Sequence, residues 1–370
     1  MSLIEKSTMK KVVTICGTRP EWTKLSALIP MLDKEFNHIL VHTGQHYSYN
    51  MDKIFFEELQ LRQPNYTLEV GSGTQAEQVG KGMIEFEKIL LKENPDIVIT
   101  FADTNAPITG SITASKLHIP VVHIEAGARS FNRIMPEEIN RIVTDHCSDL
   151  LFPADKTAYK NLVKEGISKN KIFLVGRTVY EACLRNKKLA LKLNLLEKLN
   201  LEKENYALLT MHRAENTNDL ERLKGLIYAI NEISNLIKIV YPIHPRTKRI
   251  LEENNLKLND KILVIEPQGY LEFTNLLINS KFVMSDSGTV QEEGVIYDIP
   301  CVILRNETEW TEFVEKGKNI LATTDPNKII PIAKELLTNP NKISELKSIK
   351  IKQKKKVCKK IIEIIKNELK

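Results

Sequence analysis

None of the five cysteines pairs as C-x-x-C, and no Cys/His group has zinc spacing, which excludes a zinc module and leaves no metal to expect. Cys16, Cys147, Cys183, Cys301 and Cys358 read instead as buried free thiols in a reducing compartment. No apolar run approaches the roughly 18 residues of a membrane span. Met1 to Lys10 carries no signal-peptide core, so a cytoplasmic chain with no membrane partner is expected. No G-x-G-x-x-G follows the first strand-like run, and nicotinamide binding is not implied. Short-period repeats are absent, as is low complexity outside a basic tail. Charge of one sign is also scarce, since the net charge is only +6 over 370 residues. Much of it sits near the end, at Lys352 and Lys354-Lys355-Lys356. There Ile351, Val357, Ile361, Ile362 and Ile365 form a helical stripe whose solvated face the lysines supply, so no nucleic-acid partner is expected.

What remains is a globular chain, 42% hydrophobic, and too long for one ordinary core. Short β-branched runs alternate with amphipathic stretches. In the first half the expected strands are 11–16, 38–43, 97–101, 121–125, 150–152 and 172–176. In the second they are 206–211, 237–243, 261–266, 282–286, 301–305 and 319–322. Near-continuous apolar strands between helices imply parallel sheets covered on both faces. The expectation is an α/β protein of two Rossmann-like domains with a cleft between them. Residues 9–185 would form the first domain and 186–205, free of Gly and Pro, a linker helix. Residues 206–343 would form the second domain, and 344–370 a closing helix that packs back on the first.

The chemistry-bearing residues cluster after strands. Gly17-Thr18-Arg19-Pro20-Glu21 follows the first, where Gly permits a tight turn and Thr18 can cap a helix. Arg19 and Lys24 would face an anionic ligand near that helix start. Asp103 follows 97–101 and reads equally as a helix cap or a proton-moving acid. Glu125 ends a buried strand, where a carboxylate rarely serves packing and desolvation suits a general acid or base. Pro136-Glu137-Glu138 opens a helix with an apolar face of Ile139, Ile142 and Val143, and leaves open which Glu is functional. His212 and Arg213 follow 206–211, and His244 and Arg246 stand after the next strand. Two such strand ends favour anion binding, although a lone His is more often structural. Ser287-Gly288-Thr289 offers N–H groups at a helix start, a phosphate site by geometry. Glu292 or Glu293, one turn in, could accept from ribose hydroxyls. Gln268 and Phe273 could hold a base by amide contact and stacking, with core packing the plainer role for Phe273.

Taken in order, these pieces resemble the non-hydrolysing UDP-N-acetylglucosamine 2-epimerase family. The matching residues are Gly17-Thr18-Arg19-Pro20-Glu21, Thr43-Gly44-Gln45-His46, Asp103-Thr104, His123-Ile124-Glu125-Ala126-Gly127, Pro136-Glu137-Glu138, His212-Arg213, and Ser285-Asp286-Ser287-Gly288 with Gln291-Glu292-Glu293. The resemblance implies a GT-B-type arrangement, a homodimer, a UDP-sugar substrate and no cofactor. It implies removal of the C2 proton, departure of UDP to leave 2-acetamidoglucal, and re-addition of UDP with a proton delivered to the opposite face of C2. Asp103, Glu125 and Glu137 would be the acid/base group, with His212 assisting at the pyrophosphate. Arg19, Lys24, Ser287 and Gly288, with Thr289 beside them, would hold the nucleotide. Glu293 would take the ribose, and Gln268 and Phe273 the uracil. A second UDP-sugar can bind family members as an activator near Gln45 and His46, with His244 a further candidate.

Some positions depart from the family pattern. Ala102 and Thr289 stand where Gly is usual, Arg177 where Asn is common, and Ala128 where Leu is common. Glu309-Trp310-Thr311 replaces Glu-Arg-Pro. Trp310 and the run from His212 to Thr217 resemble the branch acting on UDP-2,3-diacetamido-2,3-dideoxyglucuronate. Three rival readings are a GT-B glycosyltransferase, a catalytically silent UDP-sugar-binding protein and a hydrolysing epimerase.

Overall fold

Each half of the chain closes its own parallel sheet. The structure, a computed structural model, describes residues 9–44, 55–352 and 354–370. The chain divides into two compact units, Met1–Arg185 with Gln353–Lys370, and Asn186–Lys352.

In the first unit the strands are β1 (Lys11–Cys16), β2 (Asn37–His42), β3 (Tyr66–Thr67), β4 (Ile97–Phe101), β5 (Val121–Ile124) and β6 (Leu150–Phe152). They lie in the order β3-β2-β1-β4-β5-β6, every pair parallel. Around them run α1 (Arg19–Leu25), α2 (Ile29–Glu35), α3 (Gln75–Glu93), α4 (Asn105–Lys116), α5 (Pro136–His146) and α6 (Lys156–Lys164), and α7 (Thr178–Ala190) leads into the second unit. Both faces of the central strands are covered, so Val13, Ile15, Val41, Val98 and Val121 are fully buried with Phe86 of α3. This is why the strands read as continuous apolar runs.

In the second unit α8 (Leu195–Lys198) precedes β7 (Tyr206–Thr210), α9 (Ala214–Thr217), α10 (Leu220–Ser234), β8 (Lys238–Pro242), α11 (Pro245–Glu253) and β9 (Ile262–Ile265). Then come α12 (Tyr270–Asn279), β10 (Phe282–Ser285), α13 (Gly288–Tyr297), β11 (Cys301–Ile303), α14 (Thr311–Glu315), β12 (Asn319–Leu321), α15 (Pro326–Thr338) and α16 (Pro340–Ser348). The sheet order is β12-β11-β10-β7-β8-β9, again all parallel. Its core joins Leu209, Ile230, Tyr241, Phe282 and Met284.

The last helix, α17 (Val357–Glu368), belongs to the first unit. Its buried stripe is Val357, Cys358, Ile361, Ile362 and Ile365. Glu181 of α7 accepts the N–H groups of Val357 and Cys358, placing a carboxylate at the positive end of the helix. Ile351 lies outside it, because the expected single closing helix is two, α16 and α17, with a break between.

Two strand expectations are corrected. Residues 172–176 form no strand: they pair with β6 through one bridge, Leu151 to Ile172, the Phe173 ring lies 6.0 Å from that of Phe152, and the run ends at Gly176 with φ +112°. The sixth strand is instead β3, two residues long and too short to show periodicity. Cys147 is half-buried, whereas the other four thiols are buried as expected.

Candidate active site

Both sheets reverse strand order beside their first strand, between β1 and β4 and between β7 and β10. Ligands of open parallel sheets gather outside the strand carboxyl ends at such points. Asp103, Glu125, His212, His244 and Ser287 all stand just after strand carboxyl ends.

In the first unit Glu21 organises the loop after β1. Its Oε2 accepts from the N–H groups of Gly17 (2.8 Å) and Thr18 (2.7 Å), and its Oε1 from Thr104 Oγ1 (2.7 Å) beyond β4. Burial pushes the Glu21 carboxyl above its ordinary range, against the pull of these hydrogen bonds. Thr104 is the cap of α4, its Oγ1 accepting from the Ala106 N–H, so the helix-cap alternative for Asp103 falls away. Asp103 is held by Arg141, whose Nε and Nη2 donate to Oδ2 at 2.8 and 2.6 Å. Glu125 stands at φ +67° after β5, with Oε2 3.2 Å from Lys24 Nζ. It is half-buried in an ion pair, not in the dry, unpaired pocket expected of a strand end. Lys24 is in the last turn of α1, not its start, and also lies 5.9 Å from the Phe101 ring centre. Arg19 is exposed, its guanidinium 5.9 Å from the Phe55 ring centre.

The first turn of α5 separates the two glutamates. Glu138 is buried and accepts from the N–H groups of Ser130 and Phe131, from Ser130 Oγ and from Arg141 Nη1. Burial raises its carboxyl, but these donors outweigh it and hold Glu138 below the usual range. Glu138 therefore ties down its loop. Glu137 is half-buried and makes no such contact among the described residues. The expected apolar face of α5 is only partly covered. Its fully buried residues are polar: Glu138, Asn140, Thr144 and Asp145. Sequence reasoning missed Arg141 and Asp145, although the spacing Glu138, Arg141, Asp145 marks one helix face.

In the second unit Asp286 does the work of Glu21. It is fully buried after β10, and its Oδ2 accepts from the N–H groups of His212 (3.0 Å) and Arg213 (2.9 Å) and from Asn216 Nδ2 (3.1 Å). The His212 ring is thereby presented to solvent, Nδ1 3.6 Å from Asp286 Oδ1 and the ring 6.0 Å from that of His244. His244 caps α11, its Nδ1 accepting from the Arg246 N–H. Partial burial, then the charges of His212 and Arg246, push its imidazole below the ordinary range.

Ser287 is the cap of α13 and Gly288 its first residue. Thr289 is exposed within that helix, so its β-branch meets no left-handed backbone. A Cβ on Gly288 would clash with Glu309 Oε1, and Trp310 Nε1 donates to the Gly288 carbonyl at 2.9 Å. Arg305 holds this arm through Glu309 (2.6 Å) and Glu215 (3.0 Å), contacts the sequence did not disclose. Glu293 is buried and accepts from Tyr270 Oη at 3.0 Å. Gln268 donates to the Glu266 carbonyl, and Phe273 is half-buried on α12. Gln45 and His46 lie outside the described residues. No described helix is long and apolar enough to cross a membrane.

Residues 31–366 match the family model described as UDP-N-acetylglucosamine 2-epimerase. A UDP-N-acetylglucosamine 2-epimerase of Methanocaldococcus jannaschii is 50% identical over 339 residues, 89% of this chain and 92% of that one. A UDP-2,3-diacetamido-2,3-dideoxy-D-glucuronate 2-epimerase of Pseudomonas aeruginosa is 42% identical, over 88% of this chain and 92% of its own. The crystal structure of the Methanocaldococcus jannaschii enzyme in complex with UDP-GlcNAc and UDP superposes with a TM-score of 0.80 at 48% identity, over 96% of this chain and 99% of that one. By class the protein is an epimerase, hence an isomerase. It belongs to the UDP-N-acetylglucosamine 2-epimerase family.

Proposed function

We propose that the chain interconverts UDP-N-acetylglucosamine and UDP-N-acetylmannosamine without hydrolysis. A carboxylate removes the C2 proton, the C1–O bond breaks with its electron pair leaving on UDP, and 2-acetamidoglucal forms. UDP then adds back to C1 while a proton reaches the opposite face of C2. The observation that carries this reading is the pairing of Asp103 with Arg141 and of Glu125 with Lys24 at adjacent strand ends. A C2 proton is weakly acidic, and catalysis at it needs carboxylates held in place.

In this reading Asp103, Glu125 and Glu137 share the proton transfers, and His212 donates to the departing diphosphate. Arg19, Lys24, Ser287, Gly288 and Thr289 hold the nucleotide, Glu293 the ribose, and Gln268 with Phe273 the uracil. Gln45, His46 and His244 belong to a second, activating UDP-sugar site. The enzyme works as a cytoplasmic homodimer supplying a surface polysaccharide, and light scattering of the purified protein tests the dimer. A second reading, the same reaction on UDP-2,3-diacetamido-2,3-dideoxyglucuronate, draws support from Trp310 beside Gly288 and from the Pseudomonas relative.

The test is incubation in D2O with each UDP-sugar, followed by NMR at C2. Deuterium entry with a second epimer appearing is expected for one of them. No exchange with either, while UDP still binds, would replace this reading with a transferase or a silent binder.

A further inference from the structure

Two buried groups beside the carboxylates have no part in the chemistry proposed above: His123 and Asp145. His123 is on β5, fully buried, two residues before Glu125. Its Nδ1 is 2.6 Å from Asp145 Oδ1, and its Nε2 is 2.8 Å from the carbonyl oxygen of Ala102. A carbonyl only accepts, so Nε2 carries a hydrogen and donates it. Asp145 is itself locked in place. Its Oδ2 accepts from the Gly127 N–H at 3.0 Å and lies 2.7 Å from Arg129, which also pairs with Glu165. Burial raises the Asp145 carboxyl, but His123 and Arg129 outweigh it and hold it below its ordinary range.

The residue His123 grips is unusual. Ala102 sits at φ +61°, a left-handed backbone that is strained for an L-residue. Its N–H donates to the Ile124 carbonyl at 3.0 Å. Ala102 is thus clamped from both sides by β5, its N–H by the strand backbone and its C=O by the His123 ring. The next residue is Asp103, whose carboxylate Arg141 holds from the other end.

We infer that His123, braced by Asp145, is a positioning residue that keeps the Ala102 turn left-handed and so aims Asp103. This rests on the acid/base role proposed for Asp103. A glycine at 102 would adopt this turn without strain, whereas an alanine is inclined to relax to negative φ and swing Asp103 away. Displacement of a reacting group by about 1 Å costs on the order of a hundredfold in rate.

The test measures kcat and KM for C2 exchange, UDP affinity by calorimetry and thermal melting. His123→Phe should lower kcat by about tenfold to a hundredfold, with KM and UDP Kd within about twofold. His123→Gln keeps a donor of similar reach and should recover most of kcat. In a His123→Phe/Ala102→Gly double variant kcat should recover in part, because glycine adopts the left-handed turn without the clamp. If His123→Phe does not fold, His123→Asn replaces it, its amide being too short to reach the Ala102 carbonyl.

Unchanged kcat in the variant lacking the donor would overturn the inference. So would equal losses in that variant and in His123→Gln, or a double variant no more active than His123→Phe alone. A wild-type chain that exchanges nothing at C2 would instead remove the acid/base reading itself.

Discussion

The two units share one topology and differ in what they present at it. In each, a buried carboxylate binds the N–H groups of the loop after the first strand, Glu21 those of Gly17 and Thr18, Asp286 those of His212 and Arg213. In each, that carboxylate also ties the loop to the strand across the reversal of order: Glu21 reaches Thr104 after β4, and Asp286 itself follows β10. The lips of the two crevices are therefore built alike. The first then offers carboxylates held by Arg141 and Lys24, and the second an exposed imidazole beside a helix start. The comparison teaches that the scaffold fixes where a ligand sits, while a few side chains at strand ends decide what is done to it.

The largest break in this division should come from Glu125→Gln. Turnover is expected to fall by about a hundredfold or more, with UDP affinity unchanged by calorimetry. A matching loss of UDP affinity would show that the first unit binds nucleotide as much as it moves protons. His212→Ala should slow UDP release from C1 by about tenfold to a hundredfold, read as the rate of glucal formation in a single turnover. Equal rates would make His212 a structural residue.

Gly288→Ala places a methyl where Glu309 now lies, and that flexible carboxylate can move aside. The fold should survive while UDP Kd rises by about tenfold, equivalent to about 1.4 kcal/mol. A change in kcat alone would move Gly288 out of the binding group.

Asp145→Asn tests stability in the first unit. A carboxyl held below its ordinary range in the fold stabilises it above the unfolded value, near pH 4, and loses that contribution as pH falls through the folded one. The variant should melt about 10 °C lower at pH 7, with a shallower dependence on pH below about 4. Parallel acid limbs would exclude Asp145 as a source of acid sensitivity. Smallest of all, Ala102→Gly should raise the melting temperature by only about 2 °C, because relief of the left-handed strain is partly offset by the greater freedom of glycine in the unfolded chain. A drop would mean that the turn is not strained.

The alternation of apolar runs with amphipathic stretches was enough to place most strands, because buried parallel strands must be apolar on both faces. Strand ends were legible for the same reason: Asp103, Glu125 and His212 are the first polar residues after such runs. Local pattern could not find β3, whose two residues carry no period, nor reject 172–176, apolar enough for a strand yet cut off by Gly176. It also misjudged α5, whose buried face is polar because it serves Asp103 and His123 and not a hydrophobic core.

The sequence by itself determined the class of fold, the order of elements and the residue types at each strand end, all properties of short range along the chain. Which glutamate of α5 is tied down, what holds Asp103, and that Ala102 is bent left-handed under His123 were decided only by the tertiary structure. Each depends on groups far apart in sequence meeting within hydrogen-bond distance, and no local period records such meetings.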